Sequence, residues 1–292
     1  MNNDKTVLEE ENEYWQPSLL KTILVSIFFS PFVYLYLGRV KAFLVTIGLI
    51  MLFIPVVAKI TVNYENGLTV LAICFTAFTL VLALNFRNRK SLRKQPWFSK
   101  WWGISISVLL FFSVLFSIRI FLIDIYKVPA SSMEPNIPKG SVIFVRKWNF
   151  PAVDLFGFGF PSNSEKKNLD LGRGNVYVYI HPLKMQIYIH RLAALAGDNI
   201  DINESGLTIN KSYISRALVT QEANCKTFVE KFESNKFKIL ECDRIGPGSY
   251  GQWKVPDQHI FFLGDNRQRS ADSRYIGYIP IANLAGELLL VW

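Results

Sequence analysis

The chain has 292 residues, half of them hydrophobic, and a net charge of +9. That apolar share is too high for an ordinary soluble domain, and it is uneven: long uncharged runs fill positions 1–125, whereas 126–292 carries mixed polarity and turns. The basic excess does not point to nucleic acid, because the polar half has no stripe of Lys and Arg interleaved with aromatics.

In chain order, "MNNDKTVLEEENEYWQPS" is acidic and lacks the basic start and small-residue cleavage site of a signal peptide. The run from Ile23 to Leu37 holds Pro31 and is followed after "GRVK" by the next apolar run, so it is either a span or a re-entrant hairpin arm. Ala42 to Ala58 and Leu68 to Leu84 lie near the lower length limit of a spanning helix, and Gly103 to Ile123 is a full-length one. Between the last two, "NFRNRKSLRKQPWFSK" carries Arg87, Arg89, Lys90, Arg93, Lys94 and Lys100 with no acid among them. Such a cluster beside a span marks the cytoplasmic side, which puts the segment after Ile123 outside. The expectation is a membrane domain over 1–125 with three to four spans, four being favoured. With four spans the N-terminus is outside; with a re-entrant first run it is inside.

The second expected domain covers 126–292 and lies on the extracytoplasmic side. Its short runs "SVIFVRKW", "NVYVYI", "MQIYIHRLAAL", "QHIFFLGD" and "GELLLVW" are β-branched and aromatic, separated by Gly, Pro and Asn turns. That pattern predicts an all-β or β-dominated domain. Cys225 and Cys242 flank a segment that reads as a β-hairpin. Outside the cytoplasm a disulfide between them is expected, the alternative being two buried thiols. Neither has companion ligands at zinc spacing, and Cys74, inside an apolar run, reads as a packing residue.

Three segments could carry chemistry. In "VPASSMEPNIPKGS", prolines bracket Ser131 and Ser132, and Pro129 forbids helix just before them, so a serine there is either a nucleophile or an exposed turn residue. His190 ends an alternating strand; a neutral imidazole with a reference pKa of about 6.5 can take a hydroxyl proton at neutral pH, yet a buried histidine is also an ordinary core residue. His181 and His259 have no better claim by spacing. The loop "FFLGDNRQRSADSRYIGYIP" packs Asp265, Asn266, Arg267, Ser270, Asp272 and Arg274 after a hydrophobic strand, and is either an ion-paired structural loop or the support of a base.

In this order the three segments resemble the bacterial type I signal peptidases, or leader peptidases, over roughly Tyr126 to Trp292. The resemblance implies N-terminal transmembrane helices followed by a mostly antiparallel all-β catalytic domain, membrane-bound and multi-pass in the cytoplasmic (inner) membrane, with the active domain on the periplasmic or extracellular side. It implies a serine endopeptidase that removes signal peptides from exported preproteins, with the lipid bilayer and the secretion channel as further partners and with no cofactor or metal. The family's nucleophile pattern falls on Ser132, followed by Met133 and Pro135, and Ala130 stands where some members carry an oxyanion-binding serine. His190 of "YIHR" stands at the family's lysine, and relatives of the endoplasmic reticulum type carry His before Arg there.

The resemblance further implies that either Asp272 or Asp265 orients His190, Asp272 being favoured with Ser270 close behind, and that Arg274 pairs with Asp272 in support of the loop. Val128, Met133, Ile137, Ile143, Tyr188 and Ile189 would line shallow pockets for small substrate residues. Several boxes depart from the family pattern: Gly140 and Ser141, Arg173 to Asn175, and Ala194 to Asp198 replace more regular motifs, as in a divergent member. Two rivals follow from the same residues, a non-catalytic homologue that serves membrane binding or assembly, and a processing protease dedicated to one substrate.

Overall fold

A computed structural model describes residues 15–63, 67–88, 94–155, 158–161, 169–222, 224–233, 235–242 and 250–292, with only the backbone at 51, 53–63, 67, 68 and 70. The acidic stretch up to position 14 and the basic residues at 89–93 lie outside the described residues. Contacts divide the chain into two units, Met1–Leu115 and Phe116–Trp292.

In the first unit, helix α1 spans Leu19–Phe28, a 3₁₀ turn covers Ser30–Phe32, and α2 spans Val33–Tyr36. The first apolar run is therefore broken at Pro31. Ten residues at about 1.5 Å each make about 15 Å of helix, half of a hydrocarbon layer of about 30 Å, so α1 by itself is too short to cross one. Proline explains the break, since its ring excludes a donor and the preceding turn of helix. Phe32 to Leu37 are instead buried against Ala83 and Ile104. Helices α3 (Val40–Asn63) and α4 (Gly67–Arg87) follow, covering the next two apolar runs.

Helix α5 spans Trp101–Phe121 and runs through the division between the units. Among the described residues it is the one helix long and apolar enough to cross a membrane, with a mean hydropathy of 2.3. It ends two residues before the expected Ile123, because Ile123 already pairs in a strand.

The second unit is built of strands β1 (Ile123–Lys127), β2 (Val142–Arg146), β3 (Val153–Leu155), β4 (Phe158–Phe160), β5 (Val176–Ile180) and β6 (Ile187–Ala194). There follow β7 (Asn199–Asn203), β8 (Gly206–Ile209), β9 (Ser212–Tyr213), β10 (Arg216–Glu222), β11 (Cys225–Phe232) and β12 (Asn235–Cys242). The last are β13 (Gly251–Lys254), β14 (His259–Leu263), β15 (Ile279–Pro280) and β16 (Leu284–Val291), with one turn of helix, α6 (Ser273–Ile276), after β14. The mostly antiparallel β domain is thus as the sequence implied.

Its central sheet has seven strands in the order β1-β2-β16-β5-β6-β14-β15, every pairing antiparallel. Strand β5 is buried along its whole length. Successive side chains point to opposite faces, so Val176, Val178 and Ile180 enter one core while Tyr177 and Tyr179 enter the other. That is why "VYVYI" reads as a continuous apolar run. A third core joins the ends of β6 and β14 to β7, β8, β11 and β12. Cys225 and Cys242 face each other across β11 and β12, and their sulfurs are bonded at 2.07 Å.

Candidate active site

Ser132 lies in the turn-rich segment after β1. That segment is tied down at both ends: Val128 N–H donates to the Ser141 carbonyl at 2.9 Å, and Gly140 N–H donates back to the Val128 carbonyl at 2.8 Å. Met133 is fully buried and anchors it from below. The nucleophile candidate is also held by its own carbonyl, which accepts from Asn266 N–H at 3.0 Å, while Asn266 Nδ2 donates to the Ser131 carbonyl at 3.2 Å. The Ser132 side chain itself is half-buried.

The loop that supplies Asn266 leaves β14 through Gly264. A Cβ there would collide with Ser270 Oγ and meet the Ser132 carbonyl at 2.7 Å. Glycine is therefore required for close approach, and the Ser270 hydroxyl stands beside the Ser132 backbone. On its other side Ser270 Oγ is 3.1 Å from His190 Nε2. The structure so brings Ser132, Ser270 and His190 into one cluster. Among the described residues no hydrogen bond links Ser132 to His190 directly.

His190 sits on β6, 2% exposed, and both of its ring nitrogens are engaged: Nδ1 lies 2.8 Å from the Tyr179 hydroxyl. Burial drives its pKa from the ordinary 6.5 down to about 4; the nearby charges of Asp272 and Asp265 oppose that shift, and Arg274 adds to it. A neutral imidazole at pH 7 follows.

Neither aspartate touches the imidazole by hydrogen bond. Asp272 accepts from Arg274 Nε and Nη2, each at 2.8 Å, and from Gly264 N–H at 2.9 Å. It also caps α6, accepting from Arg274 N–H. Burial alone would raise its carboxyl, but the hydrogen bonds and charge of Arg274 outweigh that and hold it below the ordinary value. Asp265 accepts from Arg191 Nε at 2.7 Å and Nη2 at 2.6 Å, and from Asn136 Nδ2 at 2.6 Å. The Asp265–Arg191 pair thus fixes the loop against β6, the Asn136 hydrogen bond ties it to the Ser132 segment, and the Asp272–Arg274 pair braces the loop from within. A third pair, Arg267 with Glu230 of β11, fastens the same loop to the hairpin.

The expected pocket residues separate. Val128, Met133, Ile137 and Ile143 are buried together in one core, and Ile189 packs against that core while partly exposed. Tyr188 packs on the opposite face, with Tyr179 and His190 as ring neighbours. The period of two along β6 keeps Tyr188 and Ile189 from lining one wall. His181 is accounted for as a turn residue: its Nδ1 accepts from the backbone N–H groups of Leu183 and Lys184. Among the described residues no group of His, Cys, Asp and Glu is arranged to hold a metal.

Three residues contribute to the site in ways that the sequence does not display. Gly264 and Asn266 act through backbone approach and carbonyl contacts, which spacing does not display. Tyr179 is paired with Tyr188 across β5 and β6, with Tyr177 opposite His190. A period-two reading of "VYVYI" places both tyrosines on one face; the register that brings one of them to His190 is set by the turn at His181.

The family model described as signal peptidase, peptidase S26, matches residues 100–292. Signal peptidase I of Pseudomonas fluorescens is 32% identical over 209 residues, covering 62% of this chain and 70% of the relative. That of Pseudomonas aeruginosa is 31% identical over 207 residues, covering 62% and 70%. That of Rickettsia akari is 29% identical over 226 residues, covering 70% and 81%. A crystal structure of a signal peptidase I from Enterococcus faecalis V583 aligns with 43% of this chain and 100% of its own at 26% identity, with a TM-score of 0.28. With the family model covering most of the chain and the Pseudomonas enzymes matching over most of their own length, the chain belongs to the signal peptidase family, peptidase S26, and is an enzyme of the signal peptidase I type.

Proposed function

We propose that the chain cleaves signal peptides from exported preproteins with Ser132 as nucleophile and His190 as general base. The observation that carries this reading is that the Ser270 hydroxyl lies 3.1 Å from His190 Nε2 while Ser270 and the Ser132 carbonyl both close on Gly264. Ser132 Oγ attacks the carbonyl carbon of the scissile bond. Its proton passes to His190 Nε2, through the Ser270 hydroxyl or directly once bound substrate tightens the site. The tetrahedral oxyanion is met by the Ser132 N–H; Ala130 supplies no hydroxyl there. The imidazolium returns its proton to the leaving amine, and water activated by the same histidine releases the acyl-enzyme.

Extended substrate would add as a strand beside Ile189, with a floor formed by Val128, Met133, Ile137 and Ile143, which are too buried to accept more than a small side chain. Helix α5 has 21 residues, about 31 Å of helix, which matches a bilayer's hydrocarbon layer. With the basic cluster before it on the cytoplasmic side, the β domain would stand outside, at the membrane surface where signal peptides emerge.

The test offers purified chain in detergent a preprotein with an Ala-X-Ala site and reads the products by mass spectrometry. The reading predicts one cut after the second Ala, lost when that Ala is replaced by Phe and lost in Ser132→Ala. Cleavage elsewhere, or unchanged cleavage by the Ser132→Ala variant, would sink it.

A further inference from the structure

The geometry points to Tyr179 as the positioning residue of His190, a neutral phenol placed where a Ser–His site of the usual kind has a carboxylate. This rests on the proposed Ser132 and His190 roles. The phenol is immobilised: Tyr179 is fully buried, and its ring stacks on Phe262 with centroids 4.6 Å apart and planes 5° from parallel. Its hydroxyl lies 2.8 Å from His190 Nδ1, its one hydrogen-bond partner among the described residues.

The aspartates near the imidazole are committed elsewhere, Asp272 to Arg274 and Gly264 N–H, Asp265 to Arg191 and Asn136. What remains to hold Nδ1 is the phenol. For Nε2 to take a proton from the serine side, the ring's own proton must sit on Nδ1 and be donated to the Tyr179 oxygen. In that tautomer the phenol oxygen accepts, and its own hydrogen points away from Nδ1. When His190 becomes imidazolium, both N–H groups keep neutral oxygen acceptors, Tyr179 at Nδ1 and Ser270 at Nε2. A phenol orients the ring and can accept the Nδ1 proton without adding the charge that would strengthen the base.

The other charged or titratable groups that His190 faces are Asp272, Asp265 and Arg274 from the loop after β14, and Tyr188 from its own strand.

Tyr179→Phe tests this, because it keeps the ring and its stack and removes only the hydroxyl. The expected result is a fall in kcat of about 10- to 100-fold, the worth of a hydrogen bond to a group that becomes charged, with KM unchanged. Nitrogen-15 correlation spectra of His190 should show the proton on Nδ1 in the parent protein and a displaced Nδ1 resonance in the variant. A wild-type kcat in Tyr179→Phe, or a His190 protonated on Nε2 alone, would overturn the assignment. The spectra do not depend on turnover: a parent protein that cuts nothing, with the Nδ1 signature present, would refute the peptidase roles and leave the Tyr179 contact standing.

Discussion

His190 Nε2 and Ser270 Oγ lie 3.1 Å apart and buried, and Ser270 closes on Gly264 together with the Ser132 carbonyl. Gly264 makes that closeness possible. Its replacement by Ala would press a methyl group on Ser270 Oγ and on the Ser132 carbonyl. Misplacement by about 1 Å costs on the order of 100-fold in rate, so Gly264→Ala should lose at least that much kcat while far-ultraviolet circular dichroism stays as in the parent. Parental activity in this variant would show that the three groups are not packed as described.

The pH profile follows from the buried imidazole. From the residue type alone the acid limb of kcat/KM would fall near 6 to 7; with the pKa lowered to about 4 by burial, the limb should move down to about 4. The same shift links to stability. Unfolded, His190 takes up its proton below about 6.5, whereas folded it does so below about 4, so its contribution is complete above about 6.5 and is lost as pH falls to about 4. The loss is on the order of 3 kcal/mol. Urea titrations at pH 7 and pH 4.5 should show a larger difference for the parent than for His190→Phe; equal differences would mean that the histidine is solvated.

Asp272 and Arg274 form a buried pair whose carboxylate also binds Gly264 N–H and caps α6. Asp272→Asn leaves the guanidinium without its counter-charge. Breaking such a pair costs about 3–5 kcal/mol. Chemical denaturation should read that loss, and a cost under about 1 kcal/mol would mean that water already reaches the pair.

Much of this is legible in the amino-acid sequence. The two-part chain follows from where the uncharged runs stop, and the β domain from short β-branched segments between turns. Ser132, His190 and the loop after β14 stand out only when the three segments are taken together and in order; singly, each also reads as an exposed turn, a core histidine or an ion-paired loop. The break at Pro31 is harder to read, because the apolar run from Ile23 to Leu37 resembles a short span unless the turn geometry is known. Register hides the rest. Tyr179 reaches His190 only because the turn at His181 fixes how β5 meets β6, and the aspartates' partners depend on side chains from three separate segments.

The bond between Cys225 and Cys242 closes the β11–β12 hairpin, whose second strand also supports the loop after β14: Leu240 N–H donates to the Asp265 carbonyl at 2.8 Å. Loop-closure entropy for a separation of 17 residues amounts to about 3 kcal/mol. The Cys225→Ser/Cys242→Ser variant should therefore unfold at lower urea by an amount worth about 2–3 kcal/mol. An unchanged midpoint would indicate that the strand pairing alone closes this loop.

The pairing of Ser132 with His190 is tested most directly by the cleavage rate of one Ala-X-Ala preprotein by four proteins: the parent, Ser132→Ala, His190→Ala and the double variant. If the two act as one unit, each single variant falls by about 100-fold or more, and the double variant is no slower than the slower single one. Near-parental cleavage by His190→Ala, or losses that multiply in the double variant, would contradict the account.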